Sequence, residues 1–411
     1  MMDPDTRVMA AFNHEEPDRV PAYEGAIEIP EIAGSRPMNV EPGILFFSAS
    51  ILRYLTGPWT KPVRKLAFMA INRPRALATL LQPAISPVFG SLMATYRKLR
   101  VDMIGAIGGL PIVVSPRLFD HVRVRDSTIL APSGDVATMA TSGHGAVDRR
   151  GFLRSIADYE TYISFDADSL ANTFMARKLV SWGKGKVALA FSVFGAAFFE
   201  TLCELFGYET LFRLLVKEPA FIKRAVKDMS DYAVCVAKRL LESGVKIFYM
   251  TDDLGQKQRP LISPAMYRKY FKAGVARFCK AVHSGGGKVM MHSDGCVMDL
   301  VPDFIEAGVD ALHPWESAAG MNMAEGKRRW GDKLALIGNV PIEVLSHGTP
   351  ADVHAYVTRL IHDVAPGGGF IISSSHSVVP SCKFDNYRAY VLARLRAGKY
   401  PIASHLTSTS L

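Results

Sequence analysis

The chain has 411 residues, 49% hydrophobic and 21% charged, enough apolar matter for a sizeable core and too apolar a composition for wholesale disorder. Its net charge of +9 is diffuse, with no zinc-finger spacing, helix-turn-helix cue or basic stripe interleaved with aromatics, which argues against nucleic acid and for small anions or an acidic partner. The five cysteines, Cys203, Cys235, Cys279, Cys296 and Cys382, form no CxxC pair, which argues against a disulfide framework and fits a reduced, cytoplasmic compartment.

The opening Met-Met-Asp-Pro-Asp-Thr-Arg lacks the regions of a signal peptide. The apolar run Ile44–Leu55 is too short and interrupted to span a bilayer, so no transmembrane segment is expected. Residues 3–19 read as a short helix and a turn, and Val20–Glu24 as a first strand. Residues 30–100 read as a helical insertion, basic around Lys61–Arg75, that caps one mouth of the fold or meets a partner. Val101–Ile107 is a second strand. Alternation at 121–125, followed by Pro132-Ser133-Gly134-Asp135, predicts a small hairpin excursion within 119–147.

From residue 180 a regular rhythm sets in. Strands are predicted at Lys186–Ser192, Val245–Thr251, Lys288–His292, Val309–Leu312, Leu334–Gly338 and Gly369–Ser373, separated by helices. Ser263-Pro264 and Thr349-Pro350 open two of these helices, and Phe384–Ala397 closes the chain. The later strands are short apolar runs without alternation, as parallel strands buried on both faces require. Eight strands, nearly all followed by helices, predict an α/β fold of the TIM (β/α)8 type, one domain over 1–411. A doubly wound sheet is the alternative, disfavoured because no G-x-G-x-x-G follows the first strand.

In a TIM barrel the chemistry gathers at the C-terminal strand ends. Those ends carry Glu24, Phe194, Asp252 and Asp253, His292 and Asp294, His313 and Glu316, Asn339, and Ser375 and His376. His292 and Asp294 are two apart in an extended segment, and so face one point. Two roles fit. His292, Asp294 and His376 can hold a metal through three ligands and an open position. Alternatively, Asp252, Asp253 and Glu316 can hold or protonate a substrate without a metal. Of Asp252 and Asp253, one is expected to point inward and the other to bond backbone or an arginine. Phe194 and Trp315 serve as pocket walls, His313 as packing, and Cys296 as a small buried residue.

Several stretches resemble the uroporphyrinogen decarboxylase superfamily, and more closely its cobalamin-linked methyltransferases. They are Arg7 to Pro21, Asp252-Asp253-Leu254-Gly255 with Ile262-Ser263-Pro264, His292-Ser293-Asp294-Gly295, His313-Pro314-Trp315-Glu316, and Pro366 to Phe370 with Ser375-His376. The resemblance implies a TIM barrel. In the methyltransferases a His-x-Cys and a later Cys bind zinc; the matching positions here are His292, Asp294 and, nearest to the last, His376. The harder ligands favour an oxygen substrate such as a methyl ether, or loss of the metal altogether. The resemblance thus implies an enzyme that moves a methyl group from a small methoxylated or methylated substrate to a corrinoid carrier, assisted by zinc. Asp253 and Glu316 would be catalytic, and Asp252, Phe194 and Trp315 would contact substrate. Alternatives are a uroporphyrinogen decarboxylase-like carboxy-lyase and a non-catalytic barrel that binds a corrinoid or tetrapyrrole. A corrinoid protein and a second copy of the chain are the partners considered.

Overall fold

The computed structural model describes residues 2–33, 90, 93–107, 151, 153–165, 171–193 and 196–402, together with short strands at Val113–Val114, Arg123–Arg125, Thr128–Leu130 and Val136–Thr138. Most of the expected 30–100 insertion lies outside the described residues. No helix among the described residues is long and apolar enough to cross a membrane.

Eight parallel strands form one sheet: β1 (Tyr23–Glu24), β2 (Met103–Ile107), β3 (Ala188–Ser192), β4 (Ile247–Thr251), β5 (Lys288–His292), β6 (Ala311–His313), β7 (Ala335–Val340) and β8 (Phe370–Ser374). Their spatial order is their chain order. The ring closes where Ala22 bridges Ile372, whose amide donates to the Pro21 carbonyl at 2.9 Å. This is the TIM barrel expected from the strand count. A separate antiparallel sheet of Arg123–Arg125, Thr128–Leu130 and Val136–Thr138 falls within 119–147. It has three strands where a hairpin was expected, because the chain turns back once more after Leu130.

Alternation along each strand divides the core in two. Tyr23, Met103, Ala188, Ala190, Ile247, Tyr249, Met290, Ala311, Ala335, Ile337 and Ile371 point into the barrel. Their neighbours Leu189, Phe191, Phe248, Met250, Val289, Met291, Leu312, Leu336, Phe370 and Ile372 pack outward against the helices. The small inner residues leave room for Val8, Ala11 and Phe12 of the first helix, Pro4–Phe12, which joins the inner cluster and plugs the N-terminal mouth.

That helix is held by a buried charge cluster. Asp102, 1% exposed, accepts from Arg7 Nη1 at 2.7 Å, from Arg19 Nη1 and Nη2 at 2.8 Å each, and from the Ala22 amide at 3.0 Å. One carboxylate therefore joins the plug, the approach to β1 and the start of β2. Removing it would leave Arg7 buried with a charge only partly compensated by Asp18. Asp102→Ala is expected to cost about 3–5 kcal/mol of stability, read from the urea unfolding midpoint. A loss below about 1 kcal/mol would be the surface-pair value and would contradict this role.

Candidate active site

The inward rows of the barrel run on into polar residues at the C-terminal mouth. His292 follows Met290 on β5, and His313 follows Ala311 on β6. The register sets Thr251, His292 and His313 side by side. Beyond β5 the chain turns at Gly295, whose φ is +79°. A Cβ there would stand 2.4 Å from the Gly255 carbonyl carbon, so glycine is required by space as well as by conformation. The turn lies against the loop after β4 and brings the two loops' side chains together.

Asp252 and Asp253, adjacent in that loop, diverge. Asp252 is fully buried, and its Oδ1 accepts from the Glu200 amide at 2.8 Å, within the first turn of the helix Phe198–Phe206. Burial pushes its carboxyl up to about 7. Asp253 turns to the mouth, its Oδ1 accepting from the Asp294 amide at 2.9 Å. Asp253 Oδ1 stands 3.7 Å from His292 Nε2, and Asp294 Oδ1 stands 3.6 Å from the same nitrogen. All three ligand atoms lie within 4.8 Å of one another. Asp294 Oδ1 is buried and has no hydrogen-bond partner among the described residues.

Separations of 3.6–3.7 Å exceed an ordinary N–H···O hydrogen bond. Two ligand atoms about 2.0–2.1 Å from one tetrahedral metal stand roughly 3.4 Å apart. A donor set of one imidazole nitrogen and two carboxylate oxygens, one of them buried without a partner, fits a divalent cation. His376, the third ligand expected from the sequence, stands on the other side of Asp294, with its Nε2 at 3.9 Å from Asp294 Oδ2. The compact set is closed by Asp253.

Behind His292 lies a second histidine. His292 Nδ1 and His313 Nδ1 are 2.7 Å apart, and the rings stack at 4.9 Å between centroids. The opposite face of the barrel supplies Tyr23, edge-on to His313 at 5.1 Å, while Tyr249 lies 5.7 Å from His292. His313 is buried, and its imidazole is held well below its ordinary range by that burial first and by His292 and His376 next.

Glu316 Oε2 accepts from the Gly295 amide at 2.8 Å and so fastens the turn from the β6 side. Trp315 is fully buried against Trp330 with a positive φ of 56°, a conformation uncommon for a bulky residue. Its carbonyl accepts from Asn339 Nδ2 at 2.8 Å. Trp315 thus positions Glu316 and lies beneath the mouth, where a pocket wall was expected. Asn339, Tyr356, Ser317, Asn322 and Arg359 also line a separate cavity of about 430 Å³. Phe194 lies outside the described residues.

Two further carboxyl groups lie near the C-terminal strand ends. Glu24 at the end of β1 is fully buried and accepts from Ser374 Oγ at 2.7 Å; burial pushes it up to about 7. Glu200 had no signal in the sequence beyond its place on an amphipathic helix. Burial and then the charge of Asp253 raise its carboxyl well above the ordinary range.

A family model described as uroporphyrinogen decarboxylase matches residues 143–396, well over half the chain. The curated uroporphyrinogen decarboxylase of Pseudoalteromonas translucida is 33% identical over 73 residues, 18% of this chain and 20% of that protein. That of Thioalkalivibrio sulfidiphilus is 22% identical over 192 residues, 45% of this chain and 51% of that protein. The chain thus matches about half the length of these relatives at most. Among solved structures, a methyltransferase from Methanosarcina mazei superposes with a TM-score of 0.61 at 16% identity, over 96% of this chain and 99% of that one. At that identity the likeness is one of fold.

The raised carboxyl of Glu24 has a consequence for stability. Between its ordinary value of 4.5 and its folded value of about 7, the unfolded chain has lost the proton that the folded chain keeps. Its contribution is therefore full below about pH 4.5 and is lost as pH rises through 7. Glu24→Gln is expected to gain on the wild type across that window, by on the order of 3 kcal/mol, in denaturant unfolding at pH 5 and pH 8. An unchanged difference between the two pH values would contradict a protonated Glu24.

Proposed function

Since the chain belongs to the uroporphyrinogen decarboxylase family, we propose that it is a metal-assisted methyltransferase that demethylates a small methoxylated or methylated substrate and passes the methyl group to a corrinoid carried by a partner protein. The observation that carries this reading is the convergence of Asp253 Oδ1, His292 Nε2 and the unpartnered Asp294 Oδ1 at the mouth of the barrel.

When a methyl group leaves an ether oxygen as a cation equivalent, the oxygen keeps the bonding pair and must be neutralised. A zinc ion or similar divalent cation held by Asp253, His292 and Asp294 would supply the positive charge that polarises that oxygen. The chain's own residues do the rest. Glu316, fixed through the Gly295 amide, orients the substrate or delivers the proton that the freed oxygen needs. Asp252 anchors the helix at Glu200, and Trp315 holds Glu316 in place. Neither touches substrate, since both are fully buried. His376, more exposed beyond Asp294, lies where a substrate or a partner would enter.

The curated relatives carry the decarboxylase name, and a carboxy-lyase is the second reading. The acidity of the mouth disfavours it. Asp253, Asp294 and Glu316 gather where an acidic tetrapyrrole would have to bind, and like charges repel. The N-terminal arginines Arg7 and Arg19 are engaged by Asp102 at the other end of the barrel.

The test is turnover. Zinc-loaded protein is incubated with methoxylated aromatic substrates and reduced cobalamin, and methylcobalamin is followed by absorbance. His292→Ala and Asp253→Ala should lower the rate by roughly a hundredfold, the scale on which even supporting residues of metal sites act. Loss of carboxyl groups from an acidic tetrapyrrole, at a rate indifferent to His292→Ala, would replace this reading with the lyase.

A further inference from the structure

The stacked histidine pair sets a condition that the three-donor site depends on. An imidazole offers a lone pair to a cation at Nε2 only when its proton sits on Nδ1 or it carries none. Which nitrogen is protonated is decided by the partner of the other one. For His292 that partner is His313, with the two Nδ1 atoms 2.7 Å apart. At that distance a single proton lies between them, donated by one ring and accepted by the other.

We infer that His313 is a positioning residue: it accepts the Nδ1 proton of His292 and so holds the Nε2 lone pair of His292 toward Asp253 and Asp294, ready for a divalent cation. The inference rests on the metal-assisted reading above.

Two observations favour this direction of donation. On the far side of His292, the carboxylate oxygens stand at 3.6 and 3.7 Å from Nε2, beyond the distance at which an Nε2–H would bond them. The opposite tautomer would point its proton at acceptors too far away to hold it. Finally, His313 cannot turn to present its other edge. It is buried, stacked on His292 and met edge-on by Tyr23.

The histidine pair joins β5 to β6, where the register sets the two residues side by side. The sequence held a signal for it: His292 and His313 each end a barrel strand, and adjacent parallel strands in register bring such residues together.

Two measurements test the inference. The first is the ¹⁵N–¹H correlation spectrum of the imidazole rings in metal-free wild-type protein near pH 8, with His292 assigned through His292→Gln. His292 protonated at Nδ1 is the expected result; His292 protonated at Nε2 overturns the inference whatever the protein binds. The second is zinc affinity by competition with a chromophoric chelator, for wild type, His313→Phe and His313→Gln, each checked for folding by circular dichroism. Phenylalanine keeps a ring but accepts no proton, and should weaken zinc binding ten- to hundredfold. Glutamine offers a carbonyl acceptor and should restore part of that loss. Equal affinity in wild type and His313→Phe overturns the inference and leaves the metal reading standing. A wild type that binds no zinc overturns the metal reading itself.

Discussion

The structure depends on one constraint, the alternation of side chains across eight parallel strands that close on themselves. Because the ring is closed at Ala22 and Ile372, each strand has a fixed inner row, and that row cannot slip by one residue without turning the core inside out. Inner residues such as Ala188, Ala190, Ala311 and Ala335 are small enough for Tyr23, Met103, Tyr249, Met290 and the Phe12 plug to fill the space. Where the inner rows run out of apolar residues, they deliver His292 and His313 to the same level. The site follows from the closure.

The electrostatics at that level are costly. Several carboxyl groups sit at or beneath one mouth, and burial, the largest cause, pushes Glu24 and Asp252 up to about 7. A protein tolerates such crowding when some of the groups are protonated, when backbone amides satisfy them, or when a cation sits among them. All three devices have a place here. Glu24 keeps its proton over the lower pH range, Asp252 caps the helix through the Glu200 amide, and Asp253 with Asp294 and His292 forms the set that a cation would join.

The barrel was legible in the sequence because its signals are local. Short apolar runs, a proline after a capping serine at Ser263, and glycines such as Gly308 with φ near +93° mark where strands and helices begin and end. The pairing of His292 with Asp294 was legible for the same reason, as i and i+2 share a face. What the sequence withheld were relations across strands. Nothing in the sequence says which of Asp252 and Asp253 turns inward; the Glu200 amide decides it. Nothing says that Asp253 stands nearer to His292 than His376 does, since that follows from how the Gly295 turn lies against Gly255. His313 read as a packing residue until the register set it against His292.

The central claim is that Asp253, His292 and Asp294 hold a divalent cation. X-ray absorption at the zinc edge of the stoichiometrically loaded protein tests it most directly. The account predicts nitrogen and oxygen neighbours only, at about 2.0–2.1 Å, with the outer scattering of a single imidazole. Sulfur at about 2.3 Å, from Cys296 or Cys382, or the pattern of two imidazoles with His376 as a ligand, would contradict it.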